Sequence, residues 1–186
     1  MTDPAPPRPG DGVDEAELRS LSTGYAAAVD RCDGTMLAAL FVPDGVLMVP
    51  DYPGDLRPVI ARRGHDAIRR LPDGLRRYQR TFHQVSNHRY VVAGDLASGQ
   101  VACVAHHVTG AEGAEGAEGT EDAEGAGGAV GDRPAGTDSV WFIRYRDDYQ
   151  RTAAGWRIAR RELHLQWVEE HPVAVLGATP TDREAG

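Results

Sequence analysis

The hydrophobic periodicity of this sequence is mainly helical in its N-terminal part and strand-like from Thr81 onward, and that order limits the folds it can adopt. Between Asp14 and Arg31, apolar residues recur at three- and four-residue spacing, which is typical of one face of an amphipathic helix. From Thr81 onward the pattern instead predicts strands, beginning with the alternating segment Thr81–Val92. Helices followed by a run of antiparallel strands indicate the α+β class.

In more detail, the pattern predicts three N-terminal helices with one short strand among them, and then four long antiparallel strands. The expected helices cover residues 14–31, 36–41 and 65–71. The short strand is Val46–Val49, ended by a Pro- and Gly-rich loop over Pro50–Pro58. The long strands are expected at residues 81–92, 100–109, 140–152 and 156–168. A strongly curved sheet closed by the helices would leave a concave pocket between the two layers.

The length of 186 residues favours one domain, which we place at residues 13–172. Residues 1–12 are polar and proline-rich and are expected to be a disordered leader, and residues 173–186 a flexible tail. Residues 110–139 hold eight acidic residues against one arginine and are rich in glycine. Such a composition buries too little apolar area to offset ordering entropy, so a disordered acidic loop is predicted between two strands.

Charge and composition exclude several classes of protein. The acidic loop carries −7 of the net charge of −8, so the remainder is near neutral and has no electrostatic footprint for nucleic acid. No segment approaches the roughly 18 apolar residues of a membrane span, and a cytoplasmic location is expected. The two cysteines, Cys32 and Cys103, form neither a disulfide framework nor a zinc site, and no metal or cofactor is expected.

A local cluster of seven arginines departs from this near-neutral background. Two interpretations stay open for it: a solvated helix face, or a surface that guides an anionic substrate or carrier. Its members are Arg62, Arg63, Arg69, Arg70, Arg76, Arg77 and Arg80.

Asp30 and His83 are the first candidates for chemistry. Asp30 lies at the border of the apolar stripe of the first helix, where a carboxylate can face either the sheet or solvent. On the first long strand, strict alternation places His83 and Asn87 on one face and His88 on the other. From the residues alone, a solvated aspartate and core or surface histidines remain open as alternatives.

His106 and His107 are adjacent, so one must face inward, and their neighbours do not settle which. An inward histidine is a suitable general acid–base because its reference pKa of about 6.5 is near neutrality. Further polar candidates are Tyr25, Asn87, Tyr145, Asp147 and Arg160. No P-loop, GxGxxG, nucleophile elbow or HExxH motif occurs, which argues against nucleotide chemistry and triad hydrolysis.

Five segments in order resemble the SnoaL-like family of the nuclear transport factor 2 superfamily. They are residues 25–33 with 40–44, Gly64–Ile68 (GHDAI), Thr81–Asn87 (TFHQVSN), Tyr145–Asp147, and Gly155–Ile158 with Trp167. The resemblance covers roughly residues 14–168 apart from the acidic loop. It implies a cone-shaped, curved, mostly antiparallel sheet wrapped around the helices and enclosing an apolar pocket.

The resemblance also implies roles for individual residues. In the eliminating members, which include scytalone dehydratase and a bile-acid dehydratase, a helix aspartate orients a strand histidine, and Asp30 and His83 match these positions. A second catalytic histidine aligns best with His106. The tyrosine of scytalone dehydratase falls near Val49, so Tyr52 or Tyr25 is expected to substitute. With Asn87 and Tyr145, these two tyrosines form the expected substrate-binding set.

The expected activity is cofactor-free elimination or isomerisation of a hydrophobic, carbonyl-bearing small molecule, as in a dehydratase. Two alternatives stay open: a polyketide cyclase that uses the same residues, and a small-molecule-binding protein without catalysis. Family members usually assemble through the outer sheet face, so a homodimer or homotrimer is expected. The Ala-, Arg- and Gly-rich composition is typical of high-GC actinobacteria, where such proteins often serve secondary metabolism, including antibiotic biosynthesis.

Overall fold

A curved six-stranded sheet carries the fold in the computed structural model, which describes residues 12–110 and 135–174. The helices are α1 (Gly12–Asp30), α2 (Gly34–Ala39), α3 (Gly64–Arg69) and a 3₁₀ helix (Leu71–Arg77). The strands are β1 (Phe41–Asp51), β2 (Asp55–Arg63), β3 (Arg80–Ala93), β4 (Leu96–Thr109), β5 (Ala135–Thr152) and β6 (Gly155–Ala174). Their order in the sheet is β2-β1-β6-β5-β4-β3, and every neighbouring pair is antiparallel except β1 and β6. The predicted α+β class is therefore confirmed.

Helix α1 packs on the inner face of the sheet through its predicted apolar stripe. Leu18, Leu21, Tyr25 and Val29 recur at three- and four-residue spacing, and all four are buried. They join inward-facing residues of β4, β5 and β6 in one hydrophobic core. None of the described helices combines the length and apolar composition that a membrane crossing requires.

The segment around Pro50 differs from its prediction. The expected short strand Val46–Val49 is part of the longer β1, and the expected loop over Pro50–Pro58 contains a turn and the start of β2. Strand β2 is at the edge of the sheet, where a proline removes a backbone donor at little cost. The register shifts on both sides of Pro50 accommodate the prolines in this hairpin. Strand pairing at the sheet edge thus overrides the loop that the proline-rich sequence predicts.

Two boundaries of the predicted organisation also move. Strand β5 begins at Ala135, so residues 135–139 belong to the sheet and not to the predicted acidic loop. Strand β6 continues to Ala174, two residues beyond the predicted end of the domain. The predicted leader up to Asp11, residues 111–134 of the acidic loop, and the tail from Val175 lie outside the described residues.

A buried ion pair lies in the middle of the core. Arg161 and Asp147 are joined by two hydrogen bonds, of 2.7 and 2.8 Å, and neither side chain is exposed. The guanidinium of Arg161 lies 4.4 Å from the ring centroids of both Tyr25 and Tyr145. Tyr149 donates a further hydrogen bond of 2.6 Å to Asp147. Helix α1 and strands β5 and β6 are thus held together by one polar cluster.

Candidate active site

A cavity of about 210 Å³ lies between the C-terminal half of α1, the 3₁₀ helix and the inner face of the sheet. Its walls combine aliphatic and aromatic side chains with a few polar groups, as is usual in small-molecule sites. The lining residues are Tyr25, Val29, Val49, Pro50, Arg62, Leu71, Gly74, Leu75, Arg77, His83, His107, Trp141, Ile143, Tyr145 and Leu163.

Asp30 and His83 meet at the edge of this cavity. Asp30 is the last residue of α1, and one of its carboxylate oxygens lies 2.7 Å from Nδ1 of His83. Its other oxygen accepts a hydrogen bond of 3.0 Å from the backbone N–H of His83. One carboxylate therefore holds both the ring and the main chain of the histidine.

This arrangement fixes the protonation pattern of the neutral His83 ring. An ionised carboxylate only accepts hydrogen bonds, so Nδ1 carries the proton and Nε2 keeps its lone pair. Burial raises the pKa of Asp30, but the hydrogen bonds and charge of His83 outweigh burial and keep that pKa below its ordinary value. Asp30 is thus an anion at neutral pH, and Nε2 of His83 is the proton acceptor of the pair.

Strand β4 places His107 inside the cavity and His106 outside it, which reverses the assignment that the resemblance favoured. His107 is 3% exposed, whereas His106 has a 38% exposed side chain that pairs with Asp138 at 2.6 Å. The reason is the register of β4, whose odd-numbered residues Cys103 and Ala105 are buried on the same face as His107. His106 therefore lies away from His83 and from the lining of the cavity.

His107 is surrounded by aromatic rings. Its centroid is 4.9 Å from those of Tyr78 and Trp141, and 5.5 Å from that of His83. Burial, and next the positive charge that nearby His83 carries when it is protonated, lower the pKa of His107 to about 4. Its Nδ1 lies 3.3 Å from the carbonyl oxygen of Ser139, which only accepts, so Nδ1–H donates. His107 is therefore a neutral ring at pH 7.

Tyr25 and Tyr145, both expected at the site, line the cavity side by side. Their rings meet edge to face at 5.5 Å, and both are almost completely buried. Burial raises the pKa of each phenol well above its ordinary value, so both remain protonated donors. The hydroxyl of Tyr145 forms no hydrogen bond of ordinary geometry with the described residues, although the Cys103 thiol is near it. The ring of Tyr145 lines the cavity, and its hydroxyl is a shielded donor without a conventional acceptor among the described residues.

Two other predicted binding residues lie elsewhere. Tyr52 is in the turn between β1 and β2, is 37% exposed and does not line the cavity, although its ring centroid lies 4.9 Å from that of the lining residue Trp141. Asn87 is exposed, with a positive φ of 50°, at the irregularity between Ser86 and Arg89 in β3. This β-bulge breaks strict alternation, so His88 turns towards the same face as His83 and Asn87 does not.

Arg62 and Trp141 line the cavity but were not singled out as site residues. The interpretation of residues 50–58 as a loop left the orientation of the following residues, including Arg62, undefined. Alternation aligned Trp141 with Tyr145, yet aromatic residues at that spacing usually belong to the core.

Among residues 12–110 and 135–174, no three His, Cys, Asp or Glu side chains come together as metal ligands would.

Three solved structures show the same fold at low sequence identity. A protein from Kribbella flavida is 20% identical with a TM-score of 0.65, covering 86% of this chain and 95% of its own. A protein from Novosphingobium aromaticivorans, provisionally assigned as a scytalone dehydratase, is 20% identical with a TM-score of 0.61, covering 90% and 95%. A hexachlorocyclohexane dehydrochlorinase from Novosphingobium barchaimii is 15% identical with a TM-score of 0.61, covering 87% and 91%.

Most of the chain matches the model of one protein family. No curated protein sequence matches the chain significantly. The model described as SnoaL-like domain matches residues 13–162, which include both helical and strand segments of the site. With the fold and the segment order in agreement, the chain belongs to the SnoaL-like domain family.

Proposed function

We propose that this protein is a cofactor-independent acid–base enzyme that acts on a hydrophobic, carbonyl-bearing small molecule, as a dehydratase or isomerase of secondary metabolism. The observation that carries the proposal is the contact between Asp30 and Nδ1 of His83 at the wall of an apolar cavity. The names of two structural neighbours, a dehydratase and a dehydrochlorinase, support an elimination reaction.

In the proposed reaction, Nε2 of His83 takes a proton from the carbon next to the substrate carbonyl. Asp30 stabilises the imidazolium that forms, because its charge lies 2.7 Å from Nδ1. The Tyr145 hydroxyl donates to the carbonyl oxygen as negative charge develops there. For dehydration, the imidazolium then returns its proton to the leaving hydroxyl, and water departs. His107, in place of His106, contributes a neutral ring nitrogen beside His83.

Replacement of His83 by alanine tests this proposal, with aryl β-hydroxy ketones in D₂O as probes. We expect α-deuteration and water loss, followed by NMR and mass spectrometry, to slow by about 10²–10⁴-fold, as expected for a lost general base. His106→Ala is the matched control and should retain the wild-type rate, because this histidine lies outside the cavity.

Equal rates in the wild type and His83→Ala would reject the mechanism. Ligand binding that is unaffected by His83→Ala and accompanied by no exchange would favour the binding-protein alternative. A product of unchanged mass with a new ring would instead favour the cyclase alternative.

We also propose that the chain assembles as a homodimer or homotrimer in the cytoplasm. Large aromatic side chains on the outer sheet face support assembly, because Phe82 and Trp167 are at least half exposed and Trp167 stacks on Phe142 at 4.2 Å. Both cysteines are buried and unpaired, which agrees with a reducing compartment. Sedimentation velocity of the full chain distinguishes these assemblies from a monomer.

A further inference from the structure

The charges that line the cavity are all of one sign. Arg62 and Arg77 are permanently cationic, whereas none of the described lining residues is acidic. The nearest carboxylate of the site, Asp30, already contacts the ring and backbone of His83. An apolar cavity with two guanidinium groups in its wall favours a ligand that carries negative charge.

Arg62 is the more informative of the two arginines. It lies on β2 opposite Leu47, is partly buried, and its Nε is shielded from solvent without a hydrogen-bond partner. No carboxylate among the described residues lies within ion-pair distance of it, unlike Arg57 and Arg161. A shielded donor left without a partner is destabilising, and more so when it is charged. A ligand anion would remove that cost.

Arg62 and Arg77 reach the cavity from different elements, β2 and the 3₁₀ helix. Arg62 and Tyr25 both line the cavity, and burial raises the pKa of Tyr25 while the charge of Arg62 acts in the opposite direction. Arg77 reaches the cavity from the 3₁₀ helix and is held against Tyr78, with Nη2 donating to its hydroxyl at 2.8 Å. The remaining N–H groups of Arg77 are outside this contact.

We propose that the cavity binds a small organic acid, with its carboxylate on Arg62, assisted by Arg77, and its apolar body against Leu71 and Ile143. This assignment rests on the proposed function and narrows its substrate class to carbonyl compounds that bear a carboxylate. A guanidinium fork matches the planar carboxylate in geometry and charge. The volume of about 210 Å³ is below the roughly 300–1,000 Å³ of typical ligand pockets, which suits a small acid.

A matched pair of probes, phenylacetate and phenylacetamide, tests the proposal by isothermal titration calorimetry. The two differ mainly in charge, and we expect the wild type to bind the acid at least about tenfold more tightly than the amide. Arg62→Gln should abolish this preference. Arg63→Gln is the control. It removes the same charge, but from an exposed side chain at the next position of the strand.

Several outcomes would overturn the proposal. These are equal wild-type affinities for the two probes, no detectable binding of either at millimolar concentration, or a preference that Arg62→Gln and Arg63→Gln reduce equally. The wild-type comparison is decisive even if Arg62→Gln does not fold. Because the readout is binding, a clear acid preference without His83-dependent exchange would reject the proposed function and retain this assignment.

Discussion

Two acid–base pairs at helix α1, Asp147–Arg161 and Asp30–His83, differ in how completely they are enclosed. Asp147 and Arg161 are inaccessible to solvent. Two tyrosine rings, the hydroxyl of Ser22 and the hydroxyl of Tyr149 surround them. Asp30 and His83 form an equally short contact, but their side chains are 23% and 7% exposed and the histidine lines a cavity. Tyr25 and Tyr145 belong to both surroundings, since they line the cavity and cover Arg161.

This difference separates a structural pair from the pair that we propose to be reactive. Each oxygen of Asp147 accepts from Arg161, so that carboxylate has no free side for a substrate. At the other pair, Asp30 uses both oxygens on His83, but the ring nitrogen on the far side of His83 keeps its lone pair. The comparison predicts that the first pair controls folding and the second controls chemistry.

The largest expected effect is the loss of stability in Asp147→Ala. This substitution leaves the guanidinium of Arg161 buried without its counter-charge, which typically costs about 3–5 kcal/mol. The free energy of unfolding in urea measures it. Asp148→Ala is the control, since Asp148 is exposed on the opposite face and should change stability by at most about 0.5 kcal/mol. Similar losses in both variants would contradict a structural role for the enclosed pair.

A second effect concerns pH and the neutral histidine beside the reactive pair. The pKa of His107 is about 4 in the folded chain and about 6.5 when unfolded, so the unfolded state binds more protons between these values. Stability should therefore fall by about 3 kcal/mol as pH decreases from 6.5 to 4, with His88 acting in the same direction.

Chemical denaturation at several pH values measures this dependence in His107→Gln and, as its control, in His106→Gln. We expect His107→Gln to flatten the dependence and His106→Gln to leave it in place. The lowered pKa of Asp30 acts separately, because its contribution is present above the unfolded pKa of about 3.9 and is lost below that value. A wild-type profile that is flat between pH 6.5 and 4 would contradict a buried neutral His107.

The smallest expected change in stability is that of Asp30→Asn. The amide keeps the shape of the carboxylate but has one acceptor instead of two, so the partly exposed pair loses its charge and one of the two hydrogen bonds to His83, and the cost should be about 1–2 kcal/mol in urea unfolding. Turnover should nevertheless fall sharply, because the imidazolium loses its counter-ion. A loss of stability as large as that of Asp147→Ala would remove the contrast between the two pairs.

Much of the fold was predictable from the sequence, because the hydrophobic pattern of a helix or strand depends only on local residue spacing. The stripe of α1 and the long strands follow directly from residue spacing, and the family resemblance added the pairing of Asp30 with His83. The hairpin of β1 and β2 was missed because Pro50 and Pro58 weaken the local strand signal. Pairing with neighbouring strands overrides that signal, and such pairing is a tertiary effect.

The orientation of individual side chains was less predictable, because one extra residue in a strand reverses every face beyond it. The bulge at Asn87 moves that residue out of the expected face and His88 into it. A similar shift near Tyr149 makes Arg161 the inward arginine instead of the neighbouring Arg160. Strand β4 has apolar residues on both faces, so the sequence contains no signal that separates His106 from His107.

The double contact of Asp30 with His83 has a consequence for how this protein can evolve. Because the carboxylate ends α1, the position of the ring that we propose to be catalytic depends on the placement of the whole helix. A methyl group added at Gly24, in the middle of that helix, would lie 3.2 Å from the end of the Leu40 side chain, which would have to yield by a few tenths of an ångström for the helix to stay in place. Misplacement by about 1 Å can slow an enzyme about 10²-fold. Selection on activity should therefore constrain small packing residues that no substrate touches.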